Sequence, residues 1–220
     1  MELSLPKSRW ARNGLWAAVV IAACALGVAG WLNYKSRQMP EAHFVEVGQD
    51  AYILPKPDRL AYFKLVNQDQ LPFTNDALTG KWTFFFFGYS HCPDICPVTL
   101  AVFNDVDRML KQRKETTPVQ FVFVSVDPQR DTPQLLKQYV PSFNPKFVGA
   151  TGDVAELSKI ADSLGVVFGK APGTTPDIYL MDHSSAVLLT NPEGKWRGVF
   201  AAPHVPQHIV DGFLAILRRS

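Results

Sequence analysis

The chain has 220 residues, 47% of them hydrophobic and 12% aromatic, which is enough for one well-packed domain and an appendage. Residues 1–37 hold five cations and one anion, so this segment carries +4 of formal charge and the rest carries −2, giving the net +2. A mildly acidic globular part lacks the basic surface that nucleic acids require, so we expect no nucleic-acid partner.

The first element is an uncharged apolar stretch of 19 residues at 14–32, close to the ~20 residues that a helix needs to cross a bilayer. Trp16 and Trp31 lie near its ends, and most of the nearby cations precede it, which favours a cytoplasmic N-terminus. We therefore predict a cytoplasmic tail at 1–13, a transmembrane signal anchor at 14–32 and a linker at 33–44. The following domain is then expected in the periplasm, tethered to a bacterial inner membrane.

Two other interpretations of this segment compete with the anchor. A cleaved signal peptide has weak small-residue sites at 23–25 or 28–30. A lipoprotein signal fits residues 21–24 loosely and would anchor the protein at Cys24. Apolar residues continue for two more turns past Cys24, which favours the anchor and a simple apolar role for that cysteine.

The remaining chain shows the pattern of an α/β protein. Residues 33–60 contain Pro40, Pro55 and Pro57 and are interpreted as an extended connector, so the globular pattern starts near Leu60. The predicted strands are residues 62–66, 71–74, 81–88, 119–126, 147–149, 166–168, 178–181, 186–190 and 196–200. The predicted helices are residues 97–114, 131–139, 153–163 and 205–217. Strands that alternate with helices and finish in a hairpin and a helix indicate an α/β sheet.

Cys92 and Cys96 are the only cysteines beyond the N-terminal segment, and they follow the aromatic strand 81–88. A helix start stabilises thiolates, and the carboxyl end of a central strand is where open α/β sheets place their sites. Dithiol exchange motifs usually have two intervening residues, and this pair has three. On one helical face the two cysteines would lie about 6 Å apart along the axis, which suits a bridging metal at least as well as a disulfide.

Two thiolates favour Cu(I), zinc or an iron–sulfur cluster. Structural zinc takes four protein ligands and clusters usually take four cysteines, which this chain does not offer near the pair. Copper with an added imidazole is what remains. The candidate histidines are His91, His183, His204 and His208.

These histidines are not equivalent. His183 lies at the start of the hairpin strand, where it is either a ligand or an ordinary hydrogen-bonded histidine. His91 adjoins Cys92 too closely to join both thiolates, so we predict that it tunes the thiols. His204 and His208 open the last helix, and we expect them on its solvated face.

The sequence from Ser125 to Thr132 begins at the end of a buried strand. Asp131 or Thr132 is expected to cap the next helix. Asp127, at the tip of the strand, either makes a turn or faces the thiols, and both interpretations stay open.

Three segments in this order resemble the Sco/SenC copper proteins of cytochrome c oxidase assembly. They are GYSHCPDICP at 88–97, SVDPQRDTP at 125–133, and DHS at 182–184 ahead of NPEG at 191–194. The resemblance covers about residues 45–218. It implies a thioredoxin-like fold for a domain at 45–220, carried on a single membrane anchor.

The resemblance also implies a site and a role. Copper, as Cu(I) and possibly Cu(II), would be bound by Cys92, Cys96 and His183, and Asp127 would serve partner or redox chemistry. The implied partner is subunit II of cytochrome c oxidase or another copper protein. We therefore expect a copper chaperone for the binuclear site rather than an enzyme. The alternative is a thiol–disulfide oxidoreductase that reduces the copper-site cysteines, and a peroxiredoxin-like peroxidase is disfavoured by the residues around Cys92.

Overall fold

The computed structural model describes residues 44–172 and 179–220, together with Gly27. The predicted tail at 1–13 and, apart from Gly27 and residue 44, the predicted anchor and linker lie outside the described residues. Within the described part, no helix combines the length and the apolar character that a membrane crossing requires.

Eleven strands occur in the described residues. In chain order they are β1 (Val45–Gly48), β2 (Ala51–Arg59), β3 (Lys64–Asn67), β4 (Pro72–Thr74), β5 (Trp82–Gly88), β6 (Val119–Ser125), β7 (Val148–Thr151), β8 (Phe168–Lys170), β9 (Met181–His183), β10 (Val187–Thr190) and β11 (Lys195–Phe200). Nine of them form one sheet in the order β1-β2-β11-β10-β5-β6-β7-β3-β4, while β8 and β9 pair separately. The predicted α/β sheet is confirmed.

The centre of the sheet is parallel and its flanks are antiparallel. β5 pairs in parallel with β6, and β6 with β7. Gly88 at the end of β5 lies opposite Ser125 at the end of β6, so the loops that follow both strands leave the same edge of the sheet. β10 and β11 form the predicted hairpin beside β5.

Helices cover both faces of the sheet. They are α1 (Ile95–Gln112), α2 (Pro133–Tyr139), α3 (Val154–Ser163) and α4 (Pro206–Leu217), with short 3-10 turns at Asn75–Leu78 and Val140–Ser142. Because side chains alternate along a strand, Phe84 and Phe86 join the core cluster that contains residues of α1 and α4. Phe85 and Phe87 join the cluster under α3. The aromatic run of β5 is thus buried on both faces, as its sequence predicts.

The interpretation of residues 45–59 as part of a connector is wrong, because they form β1 and β2 of the main sheet. The prolines fit β2 because its register with β11 skips from Ile53 to Asp58, leaving Pro55 and Pro57 outside the paired positions. Arg197 compensates at this gap by donating to the carbonyl oxygens of Leu54 and Pro55.

Candidate metal centre

The two cysteines lie where β5 runs into α1. Cys96 is in the first turn of α1 and is fully buried, while Cys92 is half-buried in the preceding loop. The expectation that both share one helical face is wrong, since the helix starts only at Ile95. Both cysteines are free thiols in this structure.

His183 completes a group of three potential ligands. One donor atom each from Cys92, Cys96 and His183 lie within 4.8 Å of one another, and the Nε2 atom of His183 is 3.6 Å from the Sγ atom of Cys96. β9 carries His183 to this point, in a separate short strand ahead of the hairpin strand β10. The imidazole packs edge-on against the rings of Phe86 and Tyr89.

The surroundings of His183 leave its Nε2 atom available as a ligand. Its Nδ1 atom is 3.1 Å from the carbonyl oxygen of Ser184. Because a carbonyl only accepts hydrogen bonds, Nδ1 carries the proton and the lone pair of Nε2 points at the cysteines. Burial lowers the pKa of His183, which favours the neutral imidazole that binds metals.

Burial disfavours the metal-binding thiolate form of Cys96, whereas it favours the metal-binding neutral form of His183. Burial raises the pKa of its thiol well above the usual range, although a hydrogen bond from the backbone N–H of Tyr89 acts against that shift. In the metal-free protein Cys96 is therefore a neutral thiol, and binding a cation must release its proton. A site with one buried and one half-buried thiol can bind a soft metal ion or exchange a disulfide.

Gly88 makes room for the Cys96 sulfur. A Cβ atom at position 88 would lie 2.7 Å from Cys96 Sγ and 2.9 Å from the ring of Phe123, distances that real Cβ contacts do not reach. The end of β5 can therefore approach the thiol closely only because it carries no side chain.

The variant Gly88→Ala is expected to lower the free energy of unfolding by about 1–3 kcal/mol, the usual cost of overpacking a core. Urea unfolding followed by tryptophan fluorescence measures the change. Gly169→Ala is the matched control, since a Cβ atom there meets nothing within 4 Å. Equal stability of the two variants would contradict the packing argument.

Asp131 is a site residue whose main role the sequence analysis missed. It is completely buried, and its carboxylate accepts hydrogen bonds from the backbone N–H and hydroxyl of Ser90 and from the hydroxyl of Ser125. Thr132, not Asp131, caps α2, accepting from the N–H of Leu135 at 3.2 Å. The sequence offered two candidate N-caps, Asp131 and Thr132, for a single helix, and the extra candidate was the available sign that Asp131 has another role.

Asp127 and His91 lie beside the three-ligand group and outside it. Asp127 is buried, and its carboxylate is bonded to the guanidinium of Arg130 and the hydroxyl of Tyr179. His91 has a half-exposed side chain, with its Nδ1 atom 3.0 Å from Ser90 Oγ. A role of either residue in tuning the thiols or binding a partner stays a prediction.

The expectation that His204 and His208 lie on a solvated face is wrong. Both are half-buried, His204 in the loop before α4 and His208 in its first turn. His204 Nε2 is 2.7 Å from the carbonyl oxygen of Ser185, and His208 Nδ1 is 3.3 Å from Asp50. Neither histidine belongs to the three-ligand group.

The domain has a mixed sheet covered by helices, with two cysteines after the central parallel strand β5 and a histidine on the short strand β9. These features define a thioredoxin-like domain with a candidate metal centre. The chain belongs to the SCO1/SenC family, whose model matches residues 54–218. The expected resemblance is thereby confirmed.

Individual relatives agree with this assignment. A protein of Stutzerimonas stutzeri named as copper-binding is 37% identical over 153 residues, 69% of this chain and 73% of the relative. The SCO2-like protein of Rickettsia felis is 34% identical over 197 residues, 88% of this chain and 93% of the relative. The crystal structure of Arabidopsis thaliana ScoI with copper bound has 35% identity and a TM-score of 0.68, covering 73% of this chain and 98% of that one.

Proposed function

We propose that this protein binds copper through Cys92, Cys96 and His183 and passes it to the binuclear copper site of cytochrome c oxidase subunit II. The observation that carries the proposal is the group of two sulfurs and one imidazole nitrogen within 4.8 Å. Two soft donors and an imidazole suit Cu(I). No other group of three or more His, Cys, Asp or Glu donors occurs in residues 44–172 and 179–220, and zinc would need a fourth ligand.

A cleft next to His183 fits a metal ion that is transferred to a client protein. A cleft of about 430 Å³ is lined by Val167, Phe168, Gly169 and Lys170 on one side and by Asp182, His183 and Ser184 on the other. We infer that a client protein approaches the site through this cleft, which His183 lines. Copper is accordingly the cargo of the protein, and oxidase subunit II is proposed as the client on the basis of the family.

A second candidate function is reduction of a client disulfide. Cys92 is half-buried in a loop while Cys96 is buried behind it. Their thiols would become a disulfide, and the two electrons and two protons would convert the client's disulfide into two thiols.

The expected anchor at 14–32 and the periplasmic location are part of the same proposal and rest on the sequence pattern.

The reduced full-length protein is expected to bind one equivalent of Cu(I), and Cys92→Ser/Cys96→Ser is expected to bind none, since both sulfurs are lost. Metal analysis after gel filtration measures the stoichiometry. Cys24→Ser is the matched control and should retain one equivalent, because Cys24 is not one of the three proposed ligands. Copper retained by the double variant would refute the proposed site.

A further inference from the structure

The guanidinium of Arg130 lies between two tyrosine rings next to the metal centre. Its Cζ atom is 3.7 Å from the ring centroid of Tyr179 and 5.5 Å from that of Tyr89. Nη1 donates a hydrogen bond to the carbonyl oxygen of Tyr179 at 3.0 Å, and Nε donates to the carboxylate of Asp127. A planar guanidinium can stack and donate in several directions at once, which an ammonium group cannot do.

The same pair of charges fixes Tyr179 at three places. Arg130 contacts its ring and its carbonyl oxygen. The second carboxylate oxygen of Asp127 accepts a hydrogen bond from the Tyr179 hydroxyl at 2.7 Å. Asp127 is only 2% exposed, so this ion pair is shielded from water and holds a defined geometry. Tyr179 lies four residues before His183, at the approach to β9.

Tyr89 connects Arg130 to the cysteine side of the centre. Its carbonyl oxygen accepts a hydrogen bond from the backbone N–H of Cys92 at 3.2 Å. Its ring centroid lies 6.0 Å from that of His183. The two rings that enclose Arg130 thus belong to the segments that carry the cysteines and the histidine.

We propose that Arg130 is a positioning residue for the third ligand. By holding Tyr179 against Asp127 and Tyr89, it fixes the approach to β9 so that His183 Nε2 stays within reach of the two sulfurs. Arg130 touches no ligand atom, so its effect on copper passes through His183. The inference rests on the copper binding proposed above and adds a residue to that site.

The test is a double-mutant cycle in the full-length protein. Arg130→Met keeps the aliphatic stem and removes the charge and the donors. Competition with bathocuproine disulfonate is expected to show a loss of Cu(I) affinity of about 10- to 100-fold, the range found for outer partners of metal ligands. In a His183→Ala background the same change should alter affinity by less than about twofold, because the residue it positions is absent. The absorption and electron paramagnetic resonance spectra of the Cu(II)-loaded variant should shift toward those of His183→Ala.

The controls separate positioning from folding. Arg108→Met removes an exposed arginine of α1 that pairs with Asp105 and should leave affinity unchanged. Asp127→Asn/Arg130→Met leaves no unpaired buried carboxylate, so it replaces the single variant if circular dichroism shows that Arg130→Met does not fold. Restoration of most of the affinity and of the wild-type Cu(II) spectrum by Arg130→Lys would contradict the role given to the planar guanidinium.

Two outcomes overturn the inference. Either Arg130→Met changes affinity by less than about twofold, or it lowers affinity by the same factor with and without His183. If His183→Ala itself leaves copper affinity unchanged, the ligand assignment of the proposed function fails. That failure is measured on a different variant, so it is distinguishable from failure of the Arg130 inference.

Discussion

Asp131→Ala is expected to lower the free energy of unfolding by about 3–4 kcal/mol, the largest stability loss predicted for a single residue of the site. The carboxylate is the shared acceptor for three donors from Ser90 and Ser125. Its removal takes the acceptor from the buried Ser125 hydroxyl and from the half-buried donors of Ser90, and each bond to a charged acceptor contributes about 1.5–3 kcal/mol, less than additively. Asp131→Asn keeps one acceptor oxygen and should lose less.

Urea unfolding measures these losses, and Asp153→Ala is the matched control. Asp153 caps α3 by accepting from the N–H of Glu156 at 2.9 Å, at an exposed position, so its loss should cost only about 1 kcal/mol. If Asp131→Ala proves no worse than Asp153→Ala, Asp131 contributes no more than an ordinary helix cap.

The same variant links stability to the site. Ser90 lies two residues before Cys92, and both of its hydrogen bonds to Asp131 hold the loop against the end of β6. Without them we expect the Cys92 thiol to react faster with Ellman's reagent in the reduced protein. That loop is less enclosed than the first turn of α1, because Cys92 is half-buried whereas Cys96 is fully buried.

The features that sequence predicts well here are those set by local pattern. The aromatic run of β5 can only be a strand buried on both faces, and β6 shows the same apolar pattern. Two parallel strands place their following loops at one edge, so the position of Cys92 and Cys96 follows from chain order. His183 follows from the family resemblance, since its spacing from the cysteines carries no geometric information.

The features that sequence misses depend on contacts between distant segments. Pro55 and Pro57 argue against a paired strand, yet β2 tolerates them because Arg197 of β11 satisfies the neighbouring carbonyl groups. Asp131 resembles a helix cap until Ser90, 41 residues earlier, is brought beside it. His204 is predicted at the start of an amphipathic helix but lies two residues before α4, and only the fold shows that its ring packs against Phe86.

For Asp127, the family resemblance implies a role and the structure shows which groups the carboxylate contacts. The resemblance implies a partner or redox role, and the local pattern allows either a turn or a contact with the thiols. In the structure both carboxylate oxygens are already engaged, one with Arg130 and one with Tyr179. Its side-chain contacts therefore lead toward Tyr179, which precedes the segment of His183.

His183→Ala is expected to lower Cu(I) affinity by more than about 100-fold, the largest effect predicted for metal binding by a single substitution. Loss of a ligand removes a metal bond, so it should exceed the 10- to 100-fold typical of outer partners. Cys92 and Cys96 remain, and two soft thiolates can still bind Cu(I), so binding is weakened and not abolished. Competition with bathocuproine disulfonate on the reduced protein measures the change.

His204→Ala distinguishes ligation from packing. Both imidazoles pack edge-on against Phe86 and both are half-buried, but only His183 has a ring nitrogen near the sulfurs. We expect His204→Ala to leave copper affinity within about twofold, and a loss equal to that of His183→Ala would assign the effect to the ring contact. Disulfide exchange by the cysteine pair should survive in His183→Ala, because that chemistry needs only the two sulfurs. Loss of copper with retained exchange would therefore make His183 the residue that separates metal carriage from thiol reduction at one site.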